Sequence, residues 1–270
     1  TLPDKSVSKG PNFIREVFER GMGVPGFISF GIGNPASEAI PVKEIQEAFD
    51  HIVHTNPLEI LQYGPMSGDA HLAEQTIDRL INVRHMPSEG QHLIISNGAG
   101  QDLGLVPRTI CSDGDEVYMD AYTFTSGINA VRNAGAIPVG IAMDEDGMIP
   151  EALAEAAKSG KGKYIYLIPN FQNPTGITMP SERRHAIYEV ARQYDLAIYE
   201  DDPYGDLYFG EAPPPSLLAL SATVPGSREL LVHCGSLSKV LSPGLRVGWM
   251  IAPAELLGKA TMCKQFSDAH

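Results

Sequence analysis

The 270-residue chain has little of what marks several common classes of protein. It contains three cysteines, Cys111, Cys234 and Cys263, which are widely spaced and form no C-x-x-C pair. An odd number of isolated cysteines argues against a disulfide framework and against a cysteine zinc site. The default compartment for such a chain is the reducing cytoplasm.

Basic residues and long apolar runs are also scarce. The sequence has 20 Lys and Arg against 33 Asp and Glu, a formal net charge of −13, which argues against a surface that grips nucleic acid or anionic lipid. No segment approaches the roughly 20 apolar residues needed to cross a bilayer, and residues 1–10 lack the apolar run of a signal peptide. We therefore expect a soluble, cytoplasmic protein without a membrane or nucleic-acid partner.

From about residue 90 onward, short apolar segments alternate with helical patterns. Each segment is rich in β-branched or aromatic residues, and each interval has room for a crossover helix, which is typical of a largely parallel sheet covered on both faces. The pattern predicts an α/β fold. Strands are predicted over residues 92–96, 116–119, 136–141, 163–168, 196–199 and 230–234. Upstream, residues 42–54 and 70–84 have the periodicity of amphipathic helices.

A lysine motif follows the last predicted strand. Residues 235–239 read Gly-Ser-Leu-Ser-Lys, and Arg246 comes seven residues after Lys239. The amine can condense with an aldehyde, while the serine hydroxyls and the guanidinium can hold a phosphate. The motif thus indicates a phosphate-bearing aldehyde cofactor, although alone it more often marks a loop lysine in a serine-rich turn. A serine acyl-enzyme is rejected because its partner motifs, Ser-Asp-Asn and Lys-Thr-Gly, do not occur.

Two other predicted strands end in polar residues. Asn173 lies in Asn-Pro-Thr-Gly, where its amide can donate to a phenolate oxygen, although this tetrapeptide is also ordinary turn chemistry. Asp201 and Tyr204 lie in Glu-Asp-Asp-Pro-Tyr. The aspartate can stay ionised beside a protonated pyridine nitrogen, and the tyrosine can reach the same phenolate oxygen. The alternatives are a solvated acidic turn or a metal site; no histidine accompanies these carboxylates at ligand spacing, so no metal is expected.

A glycine-rich turn precedes these motifs in the chain. Residues 96–102 read Ser-Asn-Gly-Ala-Gly-Gln-Asp, between a predicted strand and a predicted helix. Small residues there let backbone N–H groups at the helix N-terminus approach a phosphate. The signal is weak alone and gains strength from the other three motifs, which follow in the order that one site would need.

Together the four motifs resemble those of the fold-type I, pyridoxal 5′-phosphate (PLP) dependent aminotransferases of class I/II. The likeness is greatest to the branch that holds the aminoadipate, kynurenine and aromatic aminotransferases and the MocR-like regulators, and it extends over residues 28–249. It implies PLP as the cofactor, with Lys239 holding it as a Schiff base. It also implies an enzyme of amino acid metabolism that moves an amino group from an L-amino acid to a 2-oxo acid.

The resemblance assigns further roles by position. Lys239, Asp201 and Tyr204 would be catalytic, and Phe124 would stack on the cofactor ring. The substrate would lie beside Ile32, Gly33 and Asn173. The full set of residues expected to contact the cofactor is Tyr63, Ala99, Gly100, Phe124, Asn173, Asp201, Tyr204, Ser236, Ser238, Lys239 and Arg246. Of these, the backbone amides of Ala99 and Gly100 would bind the phosphate with Ser236, Ser238 and Arg246.

The fold that the resemblance implies is the large domain of a fold-type I PLP transferase, with a mostly parallel mixed sheet between helices. Residues 1–41 would form an N-terminal arm and small-domain segment, residues 42–253 the PLP-binding large domain, and residues 254–270 the start of a helix. We expect that helix to lead to a missing C-terminal small domain that carries the arginine for the substrate α-carboxylate. Asn173-Pro174 is expected to be a cis peptide, as in relatives. A homodimer is implied, in which Tyr63 reaches the phosphate bound by the other subunit.

Two alternatives stay open beside the aminotransferase. Another fold-type I PLP enzyme, such as a lyase, decarboxylase or oxidase, would share the cofactor-binding residues. The second alternative is that the chain is the PLP-binding regulatory domain of a MocR-type regulator. That interpretation requires a basic winged-helix segment upstream, and the first forty residues do not contain one.

Overall fold

The computed structural model describes residues 13–28, 31, 33–87, 92–224 and 231–268. The chain divides into two units, residues 1–40 and residues 41–270. In its described part the first unit contains helix α1 (Phe13–Gly21) and a short 3₁₀ helix, Ser37–Ala39. The sequence patterns did not predict α1, because glycines and prolines dominate the surrounding segment.

The second unit is built around a seven-stranded sheet with the spatial order β1-β9-β8-β7-β6-β2-β3. All its strands run parallel except β9, which pairs antiparallel with both β1 and β8. A separate two-stranded hairpin joins β4 to β5. The strands are β1 (Leu93–Ser96), β2 (Glu116–Asp120), β3 (Ile137–Ile141), β4 (Met143–Asp144), β5 (Gly147–Met148), β6 (Gly162–Leu167), β7 (Ala197–Asp201), β8 (Leu231–Ser236) and β9 (Gly248–Ile251).

Helices join the strands of the sheet in crossover connections, as parallel pairing requires. Upstream of β1 are α2 (Val42–Thr55), α3 (Pro57–Leu61) and α4 (Ala70–Arg84). The later helices are α5 (Ala99–Ile110), α6 (Thr125–Asn133), α7 (Pro150–Ala157), α8 (Ser181–Gln193), α9 (Leu217–Leu220) and α10 (Ala254–Gln265). Among the described helices, none combines the length and apolar character needed to span a membrane.

The hydrophobic core forms a layer on each face of the sheet. Strand β6 contributes to both layers. Tyr164 and Tyr166 pack into one core layer, while Ile165 and Leu167 pack into the other. Successive side chains of a strand point to opposite faces, so the part of a strand that is covered on both sides buries consecutive residues. These four side chains are all nearly inaccessible to solvent.

The predicted fold class is confirmed as a mostly parallel mixed α/β sheet between helices. The strand bounds differ by one or two residues from the predictions, and Leu230, the predicted start of the last parallel strand, lies outside the described residues. Helix α10 occupies the segment predicted to begin a helix.

Candidate active site

Six strand termini bring most of the predicted site residues to one edge of the sheet. In register, Ser96 and Ser236 both lie opposite Gly248, and Asp201 lies opposite Cys234. Because β9 is antiparallel to its neighbours, its first residue shares this edge with the last residues of β1 and β8. Ligands of open α/β sheets bind outside the carboxyl ends of the parallel strands, so this edge is the candidate site.

The glycine-rich turn and Arg246 meet at this edge. Gly98 precedes α5 with a φ of 77°, in the left-handed region that favours glycine. The Arg246 guanidinium donates to the Asn97 carbonyl at 2.9 Å, and a Cβ added at Gly98 would lie only 2.7 Å from its Nη2. Ala99 and Gly100 are the first residues of α5, where backbone N–H groups have no acceptor within the helix. A cation and helix N-terminal amides therefore converge, as anion binding requires.

Lys239 lies in a tight turn just after β8. The N–H groups of Leu241 and Ser242 both donate to the Leu237 carbonyl, which closes the turn around the lysine. The side chain of Lys239 is half-buried, and desolvation lowers the pKa of its amine. Beside it, the Ser236 and Ser238 hydroxyl oxygens are 2.9 Å apart. The two hydroxyls thus form a polar pair at the end of β8, directly before Lys239 in the chain.

Asp201 is the last residue of β7 and is buried. Its Oδ2 accepts a hydrogen bond from the Tyr166 hydroxyl at 2.7 Å, while Oδ1 has no partner among the described residues. Burial raises the pKa of Asp201 to about 7, against the opposing effect of the Tyr166 hydrogen bond. A buried carboxyl oxygen without a partner costs free energy unless a ligand supplies one.

The turn after Asp201 is fixed by a buried ionic network. Asp202 accepts from Arg84 at 2.5 Å and from Asn170 at 2.8 Å, and Asn170 in turn accepts from Arg184 at 2.6 Å. Gly205 leaves room for this arrangement, since a Cβ there would lie 2.3 Å from the Arg84 guanidinium. The network holds the start of the loop that carries Tyr204.

Asn173 and Tyr204 face each other across the site edge. The Asn173 amide lies 3.5 Å from the Tyr204 hydroxyl, and the Asn173-Pro174 peptide is cis, as expected. Gln172 holds this turn against the β2 loop. Its amide donates to Asp120 at 3.2 Å and to the Tyr122 carbonyl at 2.5 Å, and its Oε1 accepts from Thr175.

The remaining predicted residues lie in three different settings. Phe124 immediately precedes α6 and packs partly buried against the core layer that contains Tyr166. Tyr63 follows α3 and its side chain is 76% exposed on this chain. Gly33 belongs to the first unit, and Ile32 lies outside the described residues.

Several site residues were not singled out from the sequence. Tyr166, Gln172, Arg84 and Asn170 are ordinary members of a strand, a turn or a helix, and only the spatial pairing of elements reveals their contacts. Asp102 was noted only as part of the turn; it is fully buried and accepts from Ser96 at 2.8 Å. No group of three or more potential metal ligands is present in the described part of the chain.

Comparison with known proteins gives a consistent result. The family model for aminotransferase class I and II matches residues 25–267. A 2-aminoadipate transaminase of Thermus thermophilus is 38% identical over 248 residues, which are 91% of this chain and 60% of the relative.

Solved structures agree with the family match. Pyrococcus horikoshii kynurenine aminotransferase, solved in complex with PMP, superposes with a TM-score of 0.91 at 29% identity, covering 99% of this chain and 66% of that one. LysN, an α-aminoadipate aminotransferase of Thermus thermophilus, was solved with N-(5′-phosphopyridoxyl)-L-leucine; it gives a TM-score of 0.87 at 34% identity over 100% of this chain and 66% of its own.

This chain thus spans about 60 to 66% of the length of these relatives. The family match covers nearly all of it and includes all four motifs at the sheet edge. The chain therefore belongs to the class I and II aminotransferase family.

Proposed function

We propose that this chain binds PLP through Lys239 and that the protein transfers an amino group from an L-amino acid to a 2-oxo acid. The observation that carries the proposal is that one edge of the sheet holds both a half-buried lysine, just after β8, and a buried carboxylate at the end of β7, one oxygen of which has no partner among the described residues. The family membership supports it. So do the PMP and phosphopyridoxyl-leucine ligands bound by the two solved relatives.

The buried Asp201 provides a test of fit for the cofactor. Its Oδ1 lacks a partner among the described residues, and a protonated pyridine nitrogen would supply one. A positive charge there would also offset the burial that raises the pKa of this carboxyl to about 7. The residues present therefore fit the ring end of PLP.

The opposite end of the cofactor would occupy the glycine-rich turn. Arg246, whose guanidinium lies against Gly98, would pair with the phosphate, and the amides of Ala99 and Gly100 would donate to it. Ser236 and Ser238 would add their hydroxyls. A fixed guanidinium and helix N-terminal amides suit a dianionic phosphate better than a neutral group.

The middle of the ring would lie between these two ends. Asn173 and Tyr204, already 3.5 Å apart, would both donate to the phenolate oxygen. Phe124, at the start of α6, would cover one face of the ring. Fixing the ring plane matters because the bond at the substrate Cα that stands perpendicular to it is the one that breaks.

When bound, PLP supplies an electron-withdrawing ring that accepts the electron pair left at the substrate Cα. Lys239 would hold the aldehyde carbon until substrate displaces it and would then move a proton between Cα and C4′. Burial lowers the pKa of this amine, which increases its neutral fraction, the form that attacks an aldehyde and accepts a proton. Asp201, ionised, would hold the ring nitrogen in its protonated form.

We further propose a cellular compartment, substrates and an oligomeric state for the protein. The substrates would be small molecules, and the enzyme would act in cytoplasmic amino acid metabolism. We also propose a homodimer in which Tyr63 reaches the partner's phosphate. The exposure of Tyr63 and of the apolar residues Phe49, Leu58 and Leu61 on the neighbouring helices supports such an interface.

Absorbance spectroscopy with a panel of L-amino acids tests the proposal. PLP should give the chain a near-visible band, and at least one amino acid should convert it to the pyridoxamine form with release of the matching 2-oxo acid. Lys239→Ala should abolish this conversion, whereas Lys259→Ala, at an exposed ion pair with Glu255 on α10, should not. A bound cofactor that yields carbon dioxide, racemised amino acid or no product would contradict transamination and favour the other PLP chemistries.

A further inference from the structure

The Asp201 carboxylate has two oxygens in different situations. Oδ2 accepts the Tyr166 hydroxyl at 2.7 Å, and Oδ1 is buried without a partner among the described residues. The strand register explains the reach of the tyrosine. Tyr166 on β6 lies opposite Tyr199 on β7, and its ring extends along the same face to Asp201, two residues further on. The hydroxyl thus occupies one oxygen and leaves the other available.

The Tyr166 ring is held from two sides. Tyr199 packs edge-on against it, with ring centroids 5.3 Å apart and an interplanar angle of 70°. Helix α6 approaches on another side through Gly127, where a Cβ would lie 3.0 Å from the ring. The ring therefore has little freedom, and its hydroxyl is a fixed donor.

A fixed donor stabilises the ionised form of a buried carboxyl. Burial alone raises the pKa of Asp201, and the hydrogen bond from Tyr166 is the largest effect that lowers it again. The titratable groups that face Asp201 from the surrounding elements are Asp102, Tyr166, Tyr199, Asp202, Tyr204, His233 and Cys234. Loss of the Tyr166 hydroxyl would therefore leave more of the carboxyl protonated near neutral pH.

We propose that Tyr166 is a positioning residue for the cofactor's ring nitrogen: it fixes the Asp201 carboxylate through Oδ2 and keeps it ionised, so that Oδ1 can pair with the pyridinium. The inference rests on the proposed function and deepens it. Tyr166 would thus contribute to recognition of the ring nitrogen, whereas Lys239 and the phosphate-binding turn would hold other parts of the cofactor.

The chain offers a matched control for this role. Tyr199 is as deeply buried as Tyr166 and lies in the same ring pair, but its hydroxyl meets no nitrogen or oxygen partner within the described residues and has the Cys234 thiol as its polar neighbour. Tyr166→Phe and Tyr199→Phe each delete one buried hydroxyl. Only the first removes a hydrogen bond to Asp201.

The test compares dissociation constants for PLP and for its carbocyclic analogue, which has a C–H in place of the ring nitrogen. Tyr166→Phe should weaken PLP binding at pH 7 by about tenfold, the loss expected for a hydrogen bond to a charged group. It should shift the pH midpoint of PLP affinity upward and leave analogue binding unchanged. Tyr199→Phe should change neither ligand's affinity.

The inference would be overturned if Tyr166→Phe weakened the binding of PLP and of the analogue equally. It would also be overturned if the ratio of their two dissociation constants were the same in Tyr166→Phe as in the wild type. If Tyr166→Phe does not fold, 3-fluorotyrosine at position 166 is the isosteric variant. Its more acidic phenol should move the midpoint to lower pH, and an unchanged midpoint would contradict the proposal. Failure of the wild-type chain to bind PLP would instead refute the proposed function, so the two failures are distinguishable.

Discussion

Of three buried carboxyl groups with raised pKa values, Asp120 and Asp201 end strands β2 and β7, and Asp102 lies in the first turn of α5. Burial raises the pKa of Asp102 to about 8, of Asp120 to about 6 and of Asp201 to about 7. Each has one oxygen with no partner among the described residues. For Asp201 the proposed function supplies a ligand, whereas Asp102 and Asp120 belong to the support beneath the site.

The Asp102 carboxyl predicts a pH dependence of folding in the absence of PLP. Between pH 5 and 7 the folded state keeps a proton that the unfolded state has already released, so stability falls as pH rises. One such group contributes a slope of up to about 1.4 kcal/mol per pH unit. Asp102→Asn should make the fall of the free energy of unfolding with rising pH shallower, by up to that amount per pH unit. Urea denaturation at several pH values across this range measures the effect.

Asp78→Asn is the matched control for this experiment. Position 78 lies exposed on α4, so this variant makes the same Asp-to-Asn change outside the buried core. An Asp102→Asn variant whose slope equals that of the parent chain would contradict the burial argument. The carboxyls with lowered pKa, such as Glu200 and Asp268, are ionised in both states above pH 5 and do not contribute to the slope.

Among the elements, the approach of β9 to the start of α5 depends on the absence of a side chain. A Cβ at Gly248 would lie 2.7 Å from the Ala99 nitrogen and from the Gly98 carbonyl carbon, both backbone atoms. The two segments lie far apart in the chain, and Arg246, just before β9, lies against the glycine-rich turn. The phosphate-binding geometry is therefore a property of two elements in contact.

Gly248→Ala should force these segments apart. We expect a loss of about 1–3 kcal/mol of folding free energy, the usual cost of overpacking, together with weaker PLP binding. Gly244→Ala is the control in the same loop, because a Cβ there would meet only the Ser242 hydroxyl, at 3.8 Å. Urea denaturation and PLP titration check both variants. Equal effects of the two substitutions would show that the close approach is not what matters.

The elements also show how far sequence patterns reach. Strands such as β6 were predictable because a doubly covered parallel strand is apolar throughout. Strand β9 was not predicted, since its antiparallel pairing with β1 and β8 is set by residues far away in the chain. The hairpin of β4 and β5 was missed because two-residue strands carry too little pattern.

The candidate site divides in the same way. Polar residues just after apolar strands, such as Asp201 and Asn173, were predictable from their place in the chain and from the family resemblance. Their partners were not: Tyr166 lies in the middle of an apolar strand, and Gln172 sits in a turn whose contact with Asp120 depends on how β6 and β2 align. Periodicity identifies strands but does not state which buried residues meet.

At the scale of the whole molecule, the site gathers segments from the length of the second unit. The turn after β1, the loop after β2, the turns after β6, β7 and β8, and the entry to β9 all contribute. The parallel strands end, and the antiparallel strand β9 begins, at one edge of the sheet, which is why residues as distant as Asn97 and Arg246 touch. The sheet thus brings the residues of the candidate active site together.

In the proposed function, this edge of the sheet holds PLP through Lys239. The most direct measurement is borohydride reduction of the chain with bound PLP, followed by proteolysis and mass spectrometry to locate the phosphopyridoxyl group. We expect one modified peptide, with the group on Lys239. Modification spread over surface lysines such as Lys158 and Lys259, or absent from Lys239, would contradict it.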